Sequence, residues 1–181
     1  TAGRIVSGPS TLTMQLARLL EPRPRTVAAK LVETLRAVQL ELRLSKREIL
    51  EAYLTVAPYG GNLQGVRAAT RAWFGREPDS LSIEQIALLL ALPQAPEARR
   101  PDRRPRQAVA ARGRVLERLA ALGLAPPTAA ADAQADPPPT RRPFPALAWH
   151  ATERLLARRT DRDVTSTLDR ATQAALETAI L

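Results

Sequence analysis

Apolar residues recur at spacings of three and four along most of residues 1–125, which is the spacing of one face of an α-helix. The clearest example is the run Val27, Leu31, Leu35, Val38 and Leu42. The pattern predicts helices at about residues 11–20, 26–44, 46–56, 64–74, 82–92 and 104–122. Strand patterns are scarce, so we expect this part of the chain to form an all-α domain.

Capping residues support these boundaries. Ser10 is expected to cap the first helix, and Ser45 with Glu48 three residues later forms the sequence pattern of a capping box for the third. Gly75 and Gly123 follow the fourth and sixth apolar patterns, where glycine commonly ends a helix. Most of the predicted helices therefore have a start or stop signal of their own.

The pattern changes after residue 125. Residues 126–145 contain seven of the chain's sixteen prolines and little periodicity, which is typical of an extended linker or a surface loop. Beyond them we expect a short helix at about 149–158, a candidate strand at 163–168 and a final amphipathic helix that begins at Arg170. The predicted organisation is a helical domain over residues 1–125, a proline-rich linker over 126–145 and a short C-terminal stub over 146–181.

The composition restricts the chemistry that the chain can perform. The chain has no Cys and a single histidine, His150, which excludes disulfides and Cys-ligated metals and argues against a His-built metal site or catalytic triad. Any catalysis would therefore fall to carboxylates, Lys, Arg, Tyr or hydroxyl groups. The longest uninterrupted apolar run, residues 86–92, is far shorter than the roughly 20 residues that span a bilayer.

The chain is strongly basic, with a net charge of +9 from 27 basic and 18 acidic residues. Between Arg99 and Arg118, eight Arg stand against Asp102 and Glu117. Such a stretch is most often a solvated face, but it also favours polyanionic partners such as nucleic acid or anionic lipid. An Arg-rich helical nucleic-acid-binding module and a non-catalytic interaction domain are therefore alternatives, although aromatic platforms for bases are missing.

Two segments near the N-terminus hold polar groups beyond those that a helical core requires. Residues 8–15, Gly-Pro-Ser-Thr-Leu-Thr-Met-Gln, bring hydroxyls and backbone N–H groups to the start of the first predicted helix, where an anion would be stabilised. Lys30, Glu33 and Arg36 follow at spacings of three on the second helix. The simpler interpretations are an ordinary capped helix start and an ordinary helical ion pair.

A third segment, residues 46–65, combines a helix with a glycine-rich turn. Glu51 and Tyr53 directly precede the sequence Pro-Tyr-Gly-Gly-Asn at residues 58–62, in which the glycines allow a sharp bend or a close approach to a ligand. The simpler interpretation is a helix hairpin in which Glu51 is solvated.

Taken in this order, the segments resemble the peptidoglycan glycosyltransferases, glycosyltransferase family 51, which form the N-terminal part of class A penicillin-binding proteins. Four motifs of that family have counterparts here: Gly-x-Ser-Thr-x-Thr-x-Gln at residues 8–15, a basic pair and Glu at Lys30 and Glu33, Lys-x-x-Ile-Leu-Glu-x-Tyr-Leu at residues 46–54, and Arg followed by Val-Leu at Arg112, Val115 and Leu116. These matches make the resemblance specific over about two thirds of the chain.

The resemblance implies a lysozyme-like helical fold and the lengthening of a glycan strand, in which a disaccharide moves from a lipid-linked pyrophosphate donor to the 4-hydroxyl of lipid II. That chemistry needs a carboxylate for the acceptor proton, and positive charge or a metal ion for the departing pyrophosphate. Glu33 is implied as a supporting catalytic carboxylate. Residues implied to bind substrate or hold the architecture around it are Ser10, Thr11, Gln15, Lys30, Glu51, Asn62 and Arg112.

The short connection between the first two helices gives a geometric expectation. Ser10, Gln15, Lys30 and Glu33 should lie on one wall of a cleft, because helices joined by so short a segment can pack antiparallel.

The chain departs from the family pattern in three places. Ala29 stands where the family usually has Arg, and Thr55 replaces Asn at the end of the motif over residues 46–54. The family's general base lies in a Glu-Asp-x-x-Phe motif upstream of residue 8, and the only acid before Glu33 is Glu21. We therefore expect an N-terminally truncated fragment that lacks this base, is inactive alone, and leaves apolar residues exposed on an open side of the cleft.

Further similarities imply a parent protein, its partners and its location. Residues 63–66 and 92–96 are most similar to the penicillin-binding protein 1C branch, and residues 165–173 are similar to the lead-in to a transpeptidase domain, so a bifunctional parent is expected. Expected partners are lipid II, the nascent glycan strand, a membrane surface and other cell-wall synthesis proteins, but not nucleic acid.

The implied location is the outer face of a bacterial cytoplasmic membrane, with the parent anchored by an N-terminal helix that is absent from these 181 residues. A divalent cation, Mg²⁺ or Mn²⁺, is expected only at the pyrophosphate, and no metal site built by the protein alone is expected.

Overall fold

The structure, a computed structural model, describes residues 11–24, 26–144, 148, 151, 153–154, 157 and 167–180. The chain divides into two compact units, Thr1–Arg142 and Pro143–Leu181. The described residues form helices and turns without a strand, and one isolated antiparallel bridge pairs Pro58 with Gln64. The all-α prediction is therefore confirmed.

The described part of the first unit is built from short helices. They are α1 (Leu12–Leu20), α2 (Val27–Arg43), α3 (Lys46–Val56), α4 (Val66–Phe74), α5 (Ile83–Ala91), α6 (Pro105–Ala121) and α7 (Ala129–Asp132). Two 3₁₀ turns, Pro78–Ser80 and Leu92–Gln94, follow α4 and α5. The six helices predicted before residue 125 are all present, with ends shifted by at most two residues.

Capping explains several of these ends. The capping box predicted for α3 is present: Ser45 N–H donates to the Glu48 carboxylate at 2.8 Å, and Glu48 N–H donates to the Ser45 hydroxyl at 3.3 Å. Gly75 ends α4 in the left-handed conformation, with φ of +66°, as its position predicted.

The main core fixes α1 and α3 against α4 and α5. Leu16 of α1, Ile49 of α3 and Trp73 of α4 are buried in one cluster. The indole N–H of Trp73 donates to the carbonyl of Tyr59 at 3.3 Å, so this large side chain is buried with its polar atom satisfied. The helices that carry residues 11–15 and 46–54 therefore share one rigid support.

The segment 126–142 belongs to the first unit, as the surface-loop alternative for residues 126–145 would require and the extended-linker alternative would not. It contains α7, and the buried cluster around this helix consists of Ala87, Leu116, Ala129 and Ala133. Farther along, the N–H of Arg142 donates to the carbonyl of Ala72 at 2.7 Å. Alanine side chains let α7 approach α5 and α6 closely, and so short a helix leaves no periodicity to read.

The second unit is described only in part. Ala151, Glu153, Arg154 and Ala157 are helical, and the remaining residues of the helix expected at 149–158 lie outside the described residues. Only two residues of the candidate strand at 163–168 are described, and neither of the two is in a strand. The final helix is present as Arg170–Ile180.

The apolar residues whose spacing predicted α2 are exposed to solvent. The five side chains of this apolar stripe are between 52% and 81% exposed: Val27, Leu31, Leu35, Val38 and Leu42. The packed face carries small residues instead, since Ala29 and Ala37 are buried. No helix within the described residues is both long and apolar enough to span a membrane.

Candidate functional site

The N-terminus of α1 is capped by Thr11. Its backbone is extended, and its hydroxyl oxygen accepts a hydrogen bond from Met14 N–H at 3.2 Å. The prediction that Ser10 is the cap is wrong, because two adjacent hydroxyl residues fit the capping pattern and the helix begins at Leu12. Ser10 itself lies outside the described residues. The first-turn N–H groups remain a favourable location for an anion.

Glu41 of α2 joins all three N-terminal helices. The hydroxyl of Thr13 on α1 donates to one oxygen of the Glu41 carboxylate at 2.5 Å, and the ammonium group of Lys46 on α3 donates to the other. The hydrogen bond from Lys46, followed by that from Thr13, lowers the pKa of Glu41, so the carboxylate is ionised at neutral pH. Residues from the motifs at 8–15 and 46–54 thus meet at one carboxylate.

A second contact joins the same two motifs. The hydroxyl of Tyr53 donates to the side-chain oxygen of Gln15 at 3.3 Å. Tyr53 is buried, and this burial raises the pKa of its hydroxyl above the usual value, which keeps it a neutral donor. Gln15 is therefore held by a residue of α3.

Glu33 lies on the packed face of α2. It is four residues after the buried Ala29 and four residues before the buried Ala37, and the same line continues to Glu41. Residues four apart share one side of a helix, so the half-buried Glu33 lies on the side of α2 that also contacts Thr13.

The simpler interpretation of Lys30 and Glu33 as a helical ion pair is not supported. Among the ion pairs of the described residues, none contains either residue. Arg36 instead lies 3.5 Å from the Glu21 carboxylate and donates to the Gln39 side chain at 2.9 Å. The convergence expected for Ser10, Gln15, Lys30 and Glu33 stays a prediction, since Ser10 is not described.

The glycine-rich turn at residues 58–62 is held from several sides. Gly60 and Gly61 have φ of +100° and +61°, a region that favours glycine. The N–H of Gly61 donates to the Glu97 carboxylate at 2.5 Å, and Arg141 donates to the Asn62 side-chain oxygen at 2.5 Å. The predicted turn is present, and Asn62 has a protein partner in it. Its expected contact with substrate stays a prediction.

Glu51 and Arg112 have structural partners. Glu51 lies on the exposed side of α3 and accepts a hydrogen bond from Arg47 at 2.8 Å. Arg112 is buried in α6, where its guanidinium donates to the carbonyls of Ala133 and Asp136, the latter at 2.9 Å. The contacts of Arg112 attach the segment after α7 to α6. The implied roles of Glu51 and Arg112 around the substrate stay predictions.

Glu41 is the residue of this cluster that the sequence analysis missed. It lies outside the recognised motifs, yet its position carried a signal. Ala29, Glu33, Ala37 and Glu41 follow one another at intervals of four residues. Residues at this spacing lie on the same side of a helix, so Glu41 is expected on the same side as Glu33.

Comparisons with known proteins identify the family to which the chain is similar. A family model described as Transglycosylase matches residues 1–120. Penicillin-binding protein 1C of Escherichia coli (strain K12) is 46% identical over 178 residues, which are 98% of this chain and 23% of that protein. Penicillin-binding protein 1A of Aquifex aeolicus (strain VF5) is 41% identical over 127 residues, which are 70% of this chain and 18% of that protein.

A solved structure shows the same fold. The crystal structure of penicillin-binding protein 1A from Haemophilus influenzae matches 80% of this chain and 19% of its own, with a TM-score of 0.50 and 22% identity. The chain thus spans less than a quarter of the length of each of these relatives. Because the family model covers most of the first unit and the resembling motifs lie within it, the chain belongs to the transglycosylase family.

Proposed function

We propose that this chain takes part in peptidoglycan glycan-strand polymerisation, by transfer of a lipid-linked disaccharide from its pyrophosphate carrier to the 4-hydroxyl of an acceptor lipid II. The observation that carries the proposal is the family match over residues 1–120, inside which the motif residues Gln15 and Tyr53 are in contact. The family match gives no support to the nucleic-acid-binding alternative.

The proposed pyrophosphate site combines the start of α1 with Lys30. The N-terminal turn of α1 presents backbone N–H groups, and its hydroxyl cap Thr11 is exposed. Lys30 is exposed and has no ion-pair partner among the described residues, so its charge is available to a departing pyrophosphate. The position where the family usually carries Arg is Ala29 in this chain, and an alanine side chain supplies no charge.

The proposed role of Glu33 is to support transfer as a half-buried carboxylate. It orients the acceptor or holds positive charge near the phosphates, which requires an ionised group in a fixed position. Its fixed position comes from α2, which Glu41 ties to α1 and α3. Glu41 and Tyr53 are then positioning residues, since they contact Thr13 and Gln15 of the motif at residues 8–15.

A divalent cation remains part of the proposal only as a companion of the substrate. Within the described residues, no group of three or more His, Cys, Asp or Glu side chains comes together. Mg²⁺ commonly binds through one or two carboxylates together with substrate phosphates, and Glu33 is the carboxylate that we propose for this contact. When bound, such a cation would offset the negative charge of the leaving pyrophosphate.

The proposed partners and location follow from the same reaction. Lipid II and the growing glycan strand are the substrates. Because the donor is linked to a lipid, the reaction takes place at a membrane surface. The bacterial relatives carry penicillin-binding protein names, which supports placement in the cell envelope, at the outer face of the cytoplasmic membrane. Other cell-wall synthesis proteins are proposed partners on the same basis.

A chimera tests the activity. This chain would replace the 178 aligned residues of Escherichia coli penicillin-binding protein 1C, and glycan-strand synthesis from lipid II would be measured by gel separation of the products. We expect synthesis by the chimera, and a loss of about 10²-fold or more with Glu33→Gln, the scale on which positioned acid-base or charge-stabilising groups act.

The matched control is Glu117→Gln, which neutralises an exposed carboxylate on α6 outside the proposed site. It should leave the rate within about twofold, because a solvated charge on a distant helix does little to the transition state. Full activity of the Glu33→Gln chimera would contradict the role of Glu33, and a chimera that folds but makes no glycan would contradict the proposed function.

A further inference from the structure

A groove of about 360 Å³ lies between α5 and α6 and uses none of the residues assigned to glycosyl transfer. Three arginines line it, Arg99, Arg114 and Arg118, together with leucines that include Leu90, Leu119 and Leu122. The α6 residues of the groove recur at spacings of three and four, so they form one continuous face of that helix. The groove thus combines positive charge with an apolar wall.

The three arginines are not neutralised by any carboxylate in the described part of the chain. Among the ion pairs of the described residues, none contains Arg99, Arg114 or Arg118. Arg99 is held in place, since its guanidinium donates to the carbonyl of Ala91 at 2.6 Å. Burial, followed by the nearby charge of Arg114, lowers the pKa of Arg99, so the two cations repel each other. An anion between them would relieve this repulsion.

The leucines restrict the kind of anion. Leu90 is 55% exposed and Leu122 is 65% exposed, and the neighbouring Leu124 is also 65% exposed. Exposed leucines next to arginines suit a ligand that is charged at one end and apolar at the other. A free phosphate or a nucleic-acid backbone would engage the arginines but would bury none of this apolar surface.

The size of the groove restricts the ligand further. A volume of about 360 Å³ is at the small end of ligand sites, which hold one small molecule or headgroup. An amphipathic peptide helix would need an apolar groove several turns long, but α5 has only nine residues. A single lipid headgroup with the first part of its chains fits these dimensions.

We propose that this groove binds an anionic phospholipid of a bilayer. The lipid phosphate contacts Arg99, Arg114 and Arg118, and the exposed Leu90 and Leu122 contact its acyl chains. The site would attach the α5–α6 side of the first unit to an anionic membrane surface. It does not depend on the proposed glycosyl transfer, because no residue is shared between the two.

The test measures binding of the 181-residue chain to vesicles of equimolar phosphatidylcholine and phosphatidylglycerol, by co-sedimentation. We expect binding to these vesicles and not to pure phosphatidylcholine. R114Q/R118Q should weaken the binding by about tenfold or more, since each Arg near an anionic surface contributes to attraction. R104Q/R106Q removes the same charge from exposed residues outside the groove and should weaken it by less than about threefold.

A second measurement separates lipid from free phosphate. Calorimetry would compare short-chain phosphatidylglycerol below its micelle concentration with glycerol 3-phosphate, and we expect only the lipid to bind. Circular dichroism of each variant confirms that it is folded. The proposal would be overturned if both double variants lost vesicle binding equally, or if glycerol 3-phosphate bound as tightly as the lipid. It would also be overturned if duplex DNA bound through Arg114 and Arg118 more tightly than the vesicles do.

Discussion

Single polar residues decide how the helices of the first unit meet. Glu41 receives hydrogen bonds from α1 and α3, and Arg112 donates to two carbonyls of the segment after α7. Both side chains thus join groups that are far apart in the sequence. Arg100 lies under the glycine-rich turn and is only 6% exposed, but its ion-pair partners, Asp102 and Glu97, are its neighbours in the sequence.

Asp102 holds the buried Arg100 through two hydrogen bonds, of 3.1 and 2.7 Å. A buried guanidinium that loses its partner keeps the cost of its removal from water. We therefore expect Asp102→Asn to lower the free energy of unfolding by about 1–3 kcal/mol at neutral pH, with Glu97 at 3.5 Å as a weaker remaining partner. Urea denaturation followed by circular dichroism measures the difference.

The pH dependence of that difference has a definite sign. The hydrogen bonds from Arg100 lower the pKa of Asp102 in the folded chain. The stabilisation is therefore fully present above the unfolded pKa of about 3.9 and is lost as the pH falls through the lower folded pKa. Asp79→Asn, at an exposed position outside the ion pairs of the described residues, is the matched control for the removal of one carboxylate. An Asp102→Asn difference that is the same at acid and neutral pH would exclude this ion pair as its cause.

At the scale of elements, local signals predicted helices well and packed faces poorly. The capping box at Ser45 and the glycine at Gly75 fix the ends of α3 and α4 because their interactions are local. The packed face of α2 is set by its neighbours, which contact Ala29 and Ala37 and leave the leucine stripe in solvent. The spacing of apolar residues predicts which face of a helix is apolar, but it does not predict which face packs against other helices.

Two glycines in different elements should respond to alanine in opposite ways. Gly113 lies inside α6 with no atom within 4 Å of an added Cβ, so Gly113→Ala should raise the free energy of unfolding by about 0.5–1 kcal/mol. Gly65 caps α4 with φ of +84°, and an added Cβ would lie 2.7 Å from the carbonyl oxygen of Thr55. Gly65→Ala should therefore destabilise the chain by about 1–3 kcal/mol.

Thermal and urea unfolding of the two variants give the measurement, with the unchanged chain as reference. The sign matters more than the size, because both substitutions add one methyl group and differ only in backbone conformation and surroundings. Stabilisation by Gly65→Ala would show that the turn before α4 adjusts to the added methyl group at little cost. Destabilisation by Gly113→Ala would show that other residues pack against this position of α6.

At the scale of the whole molecule, the first unit extends beyond both the family match and the predicted domain. The family model ends at residue 120, and periodicity predicted an end at about 125, but the unit reaches Arg142. Arg112 and the alanines around α7 account for the difference, because they attach a proline-rich segment to α6. Contacts between residues so far apart in the sequence cannot be predicted from local sequence patterns.

The candidate site was predictable where it follows motifs and not where it depends on tertiary contacts. Gln15, Lys30 and Glu33 could be named from their motifs, and α1 and α2 carry them as expected. The contact between Gln15 and Tyr53 joins residues 38 apart, and the contact between Thr13 and Glu41 joins residues 28 apart. Such contacts require the packed helices, so no spacing rule could supply them.

The isolated 181-residue chain should bind the lipid-linked donor but not polymerise it. The phosphate side of the proposed site is present in α1 and Lys30, whereas residues 1–181 contain no Glu-Asp-x-x-Phe sequence for a general base. Glu21 is an unsuitable substitute, because it is exposed and pairs with Arg23 at 2.8 Å. Loss of a positioned base costs about 10²–10⁴ in rate, and loss of groups that orient the acceptor costs more.

Calorimetry with a short-chain lipid II analogue measures the binding, and gel analysis of incubations with lipid II measures the polymerisation. Lys30→Gln should weaken donor binding by about three- to tenfold, the effect of one charge-assisted contact at an exposed site. Arg76→Gln, on an exposed residue beyond α4, is the matched control and should leave binding unchanged.

The chimera with penicillin-binding protein 1C is the positive control for synthesis, because it supplies the sequence that precedes the aligned region. Glycan strands made by the isolated chain would place the base within residues 1–181, and Glu33, the half-buried carboxylate nearest in sequence to Lys30, would then be the first residue to test in that role.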